Sequence, residues 1–230
     1  AFLKYEEEVV EPTYQALKAE LIDKDIFDPI AIYAYYPCIS HDNKLYIFDR
    51  KYLFNTLEES KNIPPLSEAI KVLEFPRQKR KPFRCIADFF ANDRLDVVGF
   101  TLASAGLKIS DYEREFYDRG EFTKYYQVHG LGVELAEALA EVLHKQIRLD
   151  WDIVPKEGHK LSDVQMKQYV GCRYSPGYAA CPELSQNRDI FDLLNPEKYG
   201  IELSETFQMH PEQTTCAIVV HNKEANYYNV

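Results

Sequence analysis

Residues 171–183 read Gly171-Cys172-Arg173-Tyr174-Ser175-Pro176-Gly177-Tyr178-Ala179-Ala180-Cys181-Pro182-Glu183. Two prolines and two glycines in this span exclude a regular helix or a central strand, because proline removes a backbone donor and glycine weakens both elements. A shaped loop of extended backbone is expected. Ser175 precedes a proline and is biased to extended geometry. Gly177 permits a positive φ or a close backbone approach. Arg173 supplies a planar, permanently charged fork suited to a carboxylate, and Tyr178 supplies a ring and a hydroxyl. Such a loop can hold a small zwitterion such as an amino acid. It can equally be a tight turn whose arginine makes an internal ion pair, and the residues alone leave both readings open.

Outward from this loop, Leu131 to Arg148 has the clearest helical pattern in the chain. Leu131, Leu135, Ala138, Leu139 and Val142 form its expected apolar stripe. Glu134, Glu137 and Glu141 fall on another face, either solvated or placed to meet a cationic ligand or Arg173. This helix closes a helical region from Ser110, with interruptions expected near Gly120 and Gly130. Ser110 with Glu113 has the capping-box pattern. A further helix is expected from Lys4 to Lys24, with Pro12 at a kink or in the first turn. Ile30 to Tyr36 and Leu45 to Phe48 read as a hairpin around Ser40-His41-Asp42-Asn43. Val72 to Phe75, Leu95 to Leu102, Ile201 to Met209 and Thr215 to Val220 read as strands, and Arg188 to Leu194 as a short helix. The terminal Asn226-Tyr227-Tyr228-Asn229-Val230 reads as a strand-like segment. Strands, then helices, then strands predict an α+β fold with a largely antiparallel sheet.

Composition narrows the function. The chain has 230 residues, 46% of them apolar and 28% charged, enough to bury a core. With 37 acidic and 27 basic residues the formal charge is −10. That disfavours nucleic acid as a partner, which needs a basic face. No apolar run approaches the roughly 18 residues of a membrane span, so no membrane partner is expected. Lys4, Glu6, Glu7 and Glu8 break any signal peptide at once. Five cysteines without a CxxC argue against a disulfide scaffold or a closed zinc site, and a cytoplasmic setting is expected. GxGxxG, Walker A, HExxH and GxSxG motifs are absent. His129 and His144 form no metal signature. The one basic run, Arg77-Gln78-Lys79-Arg80-Lys81 between Pro76 and Pro82, is a solvated loop or a partner contact.

Taken together and in order, these segments resemble the C-terminal activation domain of cobalamin-dependent methionine synthase. The family's RxxxGY motif is matched by Arg173-Tyr174-Ser175-Pro176-Gly177-Tyr178, followed by Ala179-Ala180-Cys181-Pro182. Cys85-Ile86-Ala87-Asp88-Phe89, His129-Gly130-Leu131, Leu135 to Glu141 with Leu143-His144, Leu203 to Phe207 with Met209, and Tyr227-Tyr228 fit as well. The likeness is sharp over 75–230 and looser over 1–75. It implies a single C-shaped α+β domain over 1–230, with a mainly antiparallel sheet and flanking helices. It also implies binding of S-adenosylmethionine and docking on a cobalamin-binding domain. There, inactive cob(II)alamin is methylated back to methylcobalamin with an electron from flavodoxin or a similar reductase.

Residue by residue, the resemblance assigns Arg173 to the ligand carboxylate and Ser175 to backbone contacts. Tyr178 would shape the loop, Tyr227 and Tyr228 lie at the ligand, and Glu137 would offset its positive charge. The chain also departs from the family. The family aspartate for the ligand ammonium has no match, and Asp23, Asp25 and Asp28 lie in unmatched sequence. Thr214-Thr215-Cys216-Ala217 stands where some relatives have a small turn, and Lys167 where a relative has glutamate. The DxHxxG segment for cobalamin and the cysteine set for a zinc-bound homocysteine site are missing. The expectation is therefore a fragment of the full enzyme or a subunit serving a separate corrinoid protein, unable to make methionine alone. The alternative is a docking module for a corrinoid protein that has lost S-adenosylmethionine binding.

Overall fold

The computed structural model describes residues 2–153 and 169–230. Lys167 lies outside them. Strand β1 (Ile30–His41) and strand β2 (Lys44–Ile47) form the expected hairpin. Its turn is only Asp42-Asn43, and Asp42 takes a φ of 54°, a left-handed conformation that aspartate tolerates. β1 therefore runs on to His41 rather than ending at Tyr36. Strand β3 (Lys71–Glu74) pairs with β2, and strand β4 (Asp96–Ser104) pairs along the other edge of β1. Strand β5 (Cys172–Tyr174) is short. The segment expected as one strand over 201–209 is instead two short strands, β6 (Glu202–Leu203) and β7 (Met209–His210), paired across a turn. Phe207, with a φ of 63°, reverses the chain between them. Strand β8 (Thr214–Val220) completes a curled, wholly antiparallel sheet in the order β3-β2-β1-β4-β8-β5.

Among the described residues four longer helices flank it: α1 (Glu11–Asp23), α2 (Leu107–Asp118), α3 (Phe122–Asp150) and α4 (Gln186–Leu194). A wide helical turn over Glu6–Val10 leads into α1, and Pro12 sits in its first turn, where a missing N–H is harmless. α2 begins before Ser110, so the expected capping box is not the cap. Gly106 occupies that place with a φ of 97°, and the Asp28 carboxylate accepts from Lys108 N at 3.1 Å. Gly120 does break the helical region, directly after α2, but Gly130 lies inside α3 without a break.

Alternation along the strands gives the sheet two different faces. Val98, Phe100 and Leu102 of β4 and Cys216, Ile218 and Val220 of β8 join the main core with Ile190, Phe191 and Leu194 of α4. Each such buried aliphatic or aromatic side chain contributes roughly 2 kcal/mol. Ala103 of β4 points the other way and packs with Ala140 and Leu143 of α3. The buried stripe of α3 is Val128, Gly132, Ala136, Ala140, Leu143 and Ile147, rotated from the predicted one. Ala138 and Val142 are exposed, and Leu131, Leu135 and Leu139 are half-buried. Small residues face inward because the helix lies close. A Cβ on Gly132 would sit 2.9 Å from Gln213 Cγ. Leu17 and Leu21 seat α1 on Ile109, Phe116 and Val128. Glu20 accepts from Lys124 and from Tyr112 Oη, and these bonds hold its carboxyl down at about 2.

His221, just past β8, meets Asp96 at the start of β4 at 2.7 Å, and Trp151 at the end of α3 packs edge-on against the His221 ring at 5.4 Å. The Asp96 carboxylate raises the His221 pKa above 6.5. The contact therefore stabilises the fold fully below about pH 6.5 and loses its effect as pH rises through the native value. His221→Gln is expected to lower the melting temperature most near pH 6 and progressively less toward about pH 9. A constant difference across that range in thermal unfolding monitored by circular dichroism would rule out the linkage.

Candidate functional site

β5 is the edge strand beyond β8, paired through Cys172↔Val220, Arg173↔Val219 and Tyr174↔Ile218. Alternation sends Cys172 and Tyr174 into the main core and leaves Arg173 on the face covered by α3. The chain then turns at Ser175-Pro176-Gly177-Tyr178. Gly177 has a φ of 89° and Tyr178 N reaches Ser175 O at 3.4 Å, the pattern of a type II turn. Gly177 N to Cys181 O at 2.8 Å and Cys181 N to Tyr178 O at 2.9 Å close the loop. The expected shaped loop is present, entered by a short edge strand.

This loop, α3, the cleft face of β4 and β8, and the C-terminal tail enclose a cleft of about 470 Å³. Arg173, Ser175, Tyr178, Glu137, Tyr227 and Tyr228 all line it. Its floor adds Thr101, Thr215 and Ala217, and its edge Cys181 and Cys216. Thr214-Thr215-Cys216-Ala217 is thus the start of strand β8 in this chain and not a turn. Floor residues such as Thr101 carry no local sequence signal, since only strand pairing brings them to the cleft.

The terminal segment is not a strand. Side chains hold it instead. Tyr174 Oη donates to Asn226 O at 2.8 Å, Arg84 Nη1 to Asn226 Oδ1 at 2.8 Å, and Gln78 Nε2 to Asn229 O at 2.9 Å. Tyr228 packs edge-on against Tyr174 and Phe89 at 6.1 and 6.4 Å. Within the basic run, Arg77 is structural. It grips both Asp88 oxygens at 2.6 and 2.7 Å and Asn43 Oδ1 at 2.9 Å. Lys79, Arg80 and Lys81 are exposed.

Arg173 Nη2 donates to Glu141 Oε1 at 2.5 Å, with only 12% of the arginine side chain exposed. Arg173 thus makes the internal ion pair that one of the two sequence readings expected, and its side chain also lines the cleft. Glu137, one turn earlier on α3, is exposed on the cleft wall. Glu134 lies away from it, beside α1. Asp25 pairs with Lys108 at 2.7 Å and Asp28 caps α2, and neither they nor Asp23 line the cleft. The Cys181 and Cys216 thiols reach Gln186 Oε1 at 3.1 Å and Asn187 Oδ1 at 3.2 Å, and burial pushes both up to about 12. All five cysteines are buried free thiols. His129 contacts Glu113 at 3.2 Å, and His144 is buried with its ring edge-on to Tyr169. Among the described residues no cluster is placed to hold a metal ion, and no helix is long and apolar enough to cross a membrane.

Fold and cleft together define an α+β protein whose edge-strand loop walls an aromatic cleft carrying a guanidinium and a carboxylate. The profile described as "Vitamin B12 dependent methionine synthase, activation domain" matches residues 5–230, and the chain belongs to that family. The methionine synthase of Mycobacterium tuberculosis (strain ATCC 25618 / H37Rv) is 36% identical over 212 residues, covering 86% of this chain. That of Mycobacterium leprae (strain TN) gives the same identity and coverage. The chain spans 17% of the length of each of these relatives. Among solved structures, a MetH reactivation domain crystallised with AdoHcy has a TM-score of 0.84 at 24% identity, over 98% of this chain and 71% of that one. That likeness establishes the fold.

Gly177→Ala tests the loop. The alanine would have to take a φ of 89°, with its Cβ 3.1 Å from Leu184 Cδ1. A loss of about 1–2 kcal/mol is expected in urea unfolding. An unchanged midpoint would show that the turn relaxes without cost.

Proposed function

We propose that the cleft binds S-adenosylmethionine and that residues 1–230, as one domain, present its methyl group to cobalamin held by a cobalamin-binding domain or corrinoid protein. The observation that carries this reading is the pairing of opposite charges in an aromatic cleft: Arg173 and Glu137 on its walls, with Tyr178, Tyr227 and Tyr228 around them. A ligand bearing a carboxylate beside cationic groups matches that arrangement. AdoHcy in the structural neighbour is what S-adenosylmethionine becomes after losing its methyl group.

In this reading Arg173 takes the ligand carboxylate through the guanidinium nitrogens that Glu141 leaves free. Glu137 offsets the positive charge of the ligand. The backbone at Ser175, held extended before Pro176, supplies polar contacts, and Tyr178 shapes the loop. Tyr227 and Tyr228 offer ring faces, favourable toward a sulfonium as toward other cations. Cobalamin held by that partner would, once reduced by one electron, supply the nucleophile for the methyl group. The neutral, buried thiols of Cys181 and Cys216 do not compete for it, because the thiolate is the reactive form. The electron comes from a flavodoxin-like or other reductase, and the exposed Lys79-Arg80-Lys81 turn is a candidate contact for an acidic donor. The chain serves methionine synthase as an activation domain in the cytoplasm and does not make methionine alone.

Calorimetric titration of S-adenosylmethionine tests the site. Saturable binding that Arg173→Ala abolishes is expected, with circular dichroism confirming that the variant is folded. Binding that survives the substitution would move the site, and no binding at millimolar ligand would favour the docking-module reading. Changing Lys79, Arg80 and Lys81 to Gln, with Arg77 kept, is expected to slow reductase-dependent reactivation at low salt and to have little effect at high salt. An unchanged salt dependence would remove that surface from the account.

A further inference from the structure

We infer that Glu141 is a positioning residue for Arg173: it holds one guanidinium nitrogen from behind so that the rest of the fork is aimed into the cleft. This rests on the proposed ligand site and deepens it. Arg173 lines the cleft and Glu141 does not, although its helix neighbours Glu137 and Ala140 do. The contact is a charge-assisted bond of 2.5 Å from Nη2 to Oε1. A guanidinium is rigid and planar with five donors, so fixing one nitrogen constrains the whole plane and leaves other donors for a ligand. The anchor is firm, because Glu141 is carried on the 29-residue helix α3 and Arg173 on a strand paired with β8.

The pair is poorly suited to a purely stabilising role. Glu141 Oε2 is buried and has no hydrogen-bond partner among the described residues. A buried carboxylate oxygen left unpaired costs stability, and the ion pair itself, with the Glu141 side chain 35% exposed, is partly screened and contributes little. A stability-driven design would satisfy that oxygen or replace the pair with apolar groups. Retaining a half-satisfied carboxylate is accounted for when its task is to orient the arginine. Orientation here has an opposing cost. Glu141 partly neutralises Arg173 and so reduces its Coulomb attraction for a ligand carboxylate. Positioning and neutralisation therefore predict opposite signs for removal of the acceptor.

The test uses Glu141→Met, which keeps side-chain length and helix propensity but removes the acceptor, and Glu141→Gln, which restores an acceptor oxygen. Each is titrated with S-adenosylmethionine and with its decarboxylated analogue. Glu141→Met is expected to weaken S-adenosylmethionine about tenfold, the equivalent of losing one such oriented contact. It should leave the decarboxylated analogue unchanged, and Glu141→Gln should recover most of the loss. In an Arg173→Ala background the Glu141 substitution should have no further effect on binding. Tighter S-adenosylmethionine binding by Glu141→Met, or equal loss for both ligands, would overturn the inference. Should the unaltered protein bind neither ligand, the proposed function fails, and the Arg173 Nε–H signal in nuclear magnetic resonance still decides this point. That signal should be ordered in the ligand-free protein and motionally averaged in Glu141→Met. Identical signals would overturn the positioning role.

Discussion

Three backbone pairs between β5 and β8 decide where each wall of the cleft stands. β5 ends at Tyr174 because the turn through Pro176 and Gly177 leads the chain off the sheet. The sheet therefore stops, and the loop folds back over its edge. Alternation then separates two tasks by a single residue. Tyr174 goes into the core, where its hydroxyl holds Asn226 and its ring packs on Tyr227 and Tyr228. Arg173 goes to the opposite face and meets α3. A slip of one residue in this register would exchange anchor and charge.

The second constraint is the closeness of α3 to the sheet. Gly132, Ala136 and Ala140 face inward, and their small size lets the helix axis approach. At the far end Gly99 leaves room for Trp151, whose ring would lie 3.3 Å from an added Cβ. Close at both ends, α3 sets Glu137 on the cleft wall and Glu141 against Arg173 with little freedom to drift. The Asp96–His221 contact lies under the same Trp151. The acidic pair on α3 is thus placed by apolar contacts some distance along the helix.

The sequence made the loop legible because proline and glycine act locally. Pro176 fixes its own φ and Gly177 admits a positive one whatever surrounds them. The same holds for the β1–β2 hairpin and for the break at Gly120. Features that depend on a distant partner were less legible. The apolar stripe of α3 was expected along Leu131, Leu135 and Leu139, yet the buried face runs through Gly132, Ala136, Ala140 and Leu143, where small residues let the helix approach the sheet. The cap of α2 was expected at Ser110, but it is built by Gly106 with Asp28 from a segment before β1. The terminal segment resembled a strand, whereas its Asn226 and Asn229 carbonyls accept from the side chains of Tyr174 and Gln78. The six candidate site residues meet in one cleft, yet nothing local distinguished Glu141 from Glu134, and only Glu141 reaches the arginine.

The overall charge bears on how such a cleft would select its ligand. The charge of −10 carried by these 230 residues disfavours small anions and favours small cations beyond the contact distance. S-adenosylmethionine carries a carboxylate, an ammonium and a sulfonium, a net charge of about +1 at pH 7. The long-range field and the local fork therefore act on different parts of the ligand. In the proposed reading the field would favour its arrival, and Arg173, only 12% exposed, would sort the carboxylate end on contact. Loss of the methyl group removes the sulfonium charge and leaves S-adenosylhomocysteine near neutral. The attraction that brings the substrate in is then absent for the product, while the carboxylate contact is the same for both. In the proposed reading, exchange of product for substrate would be favoured by the charge of these residues.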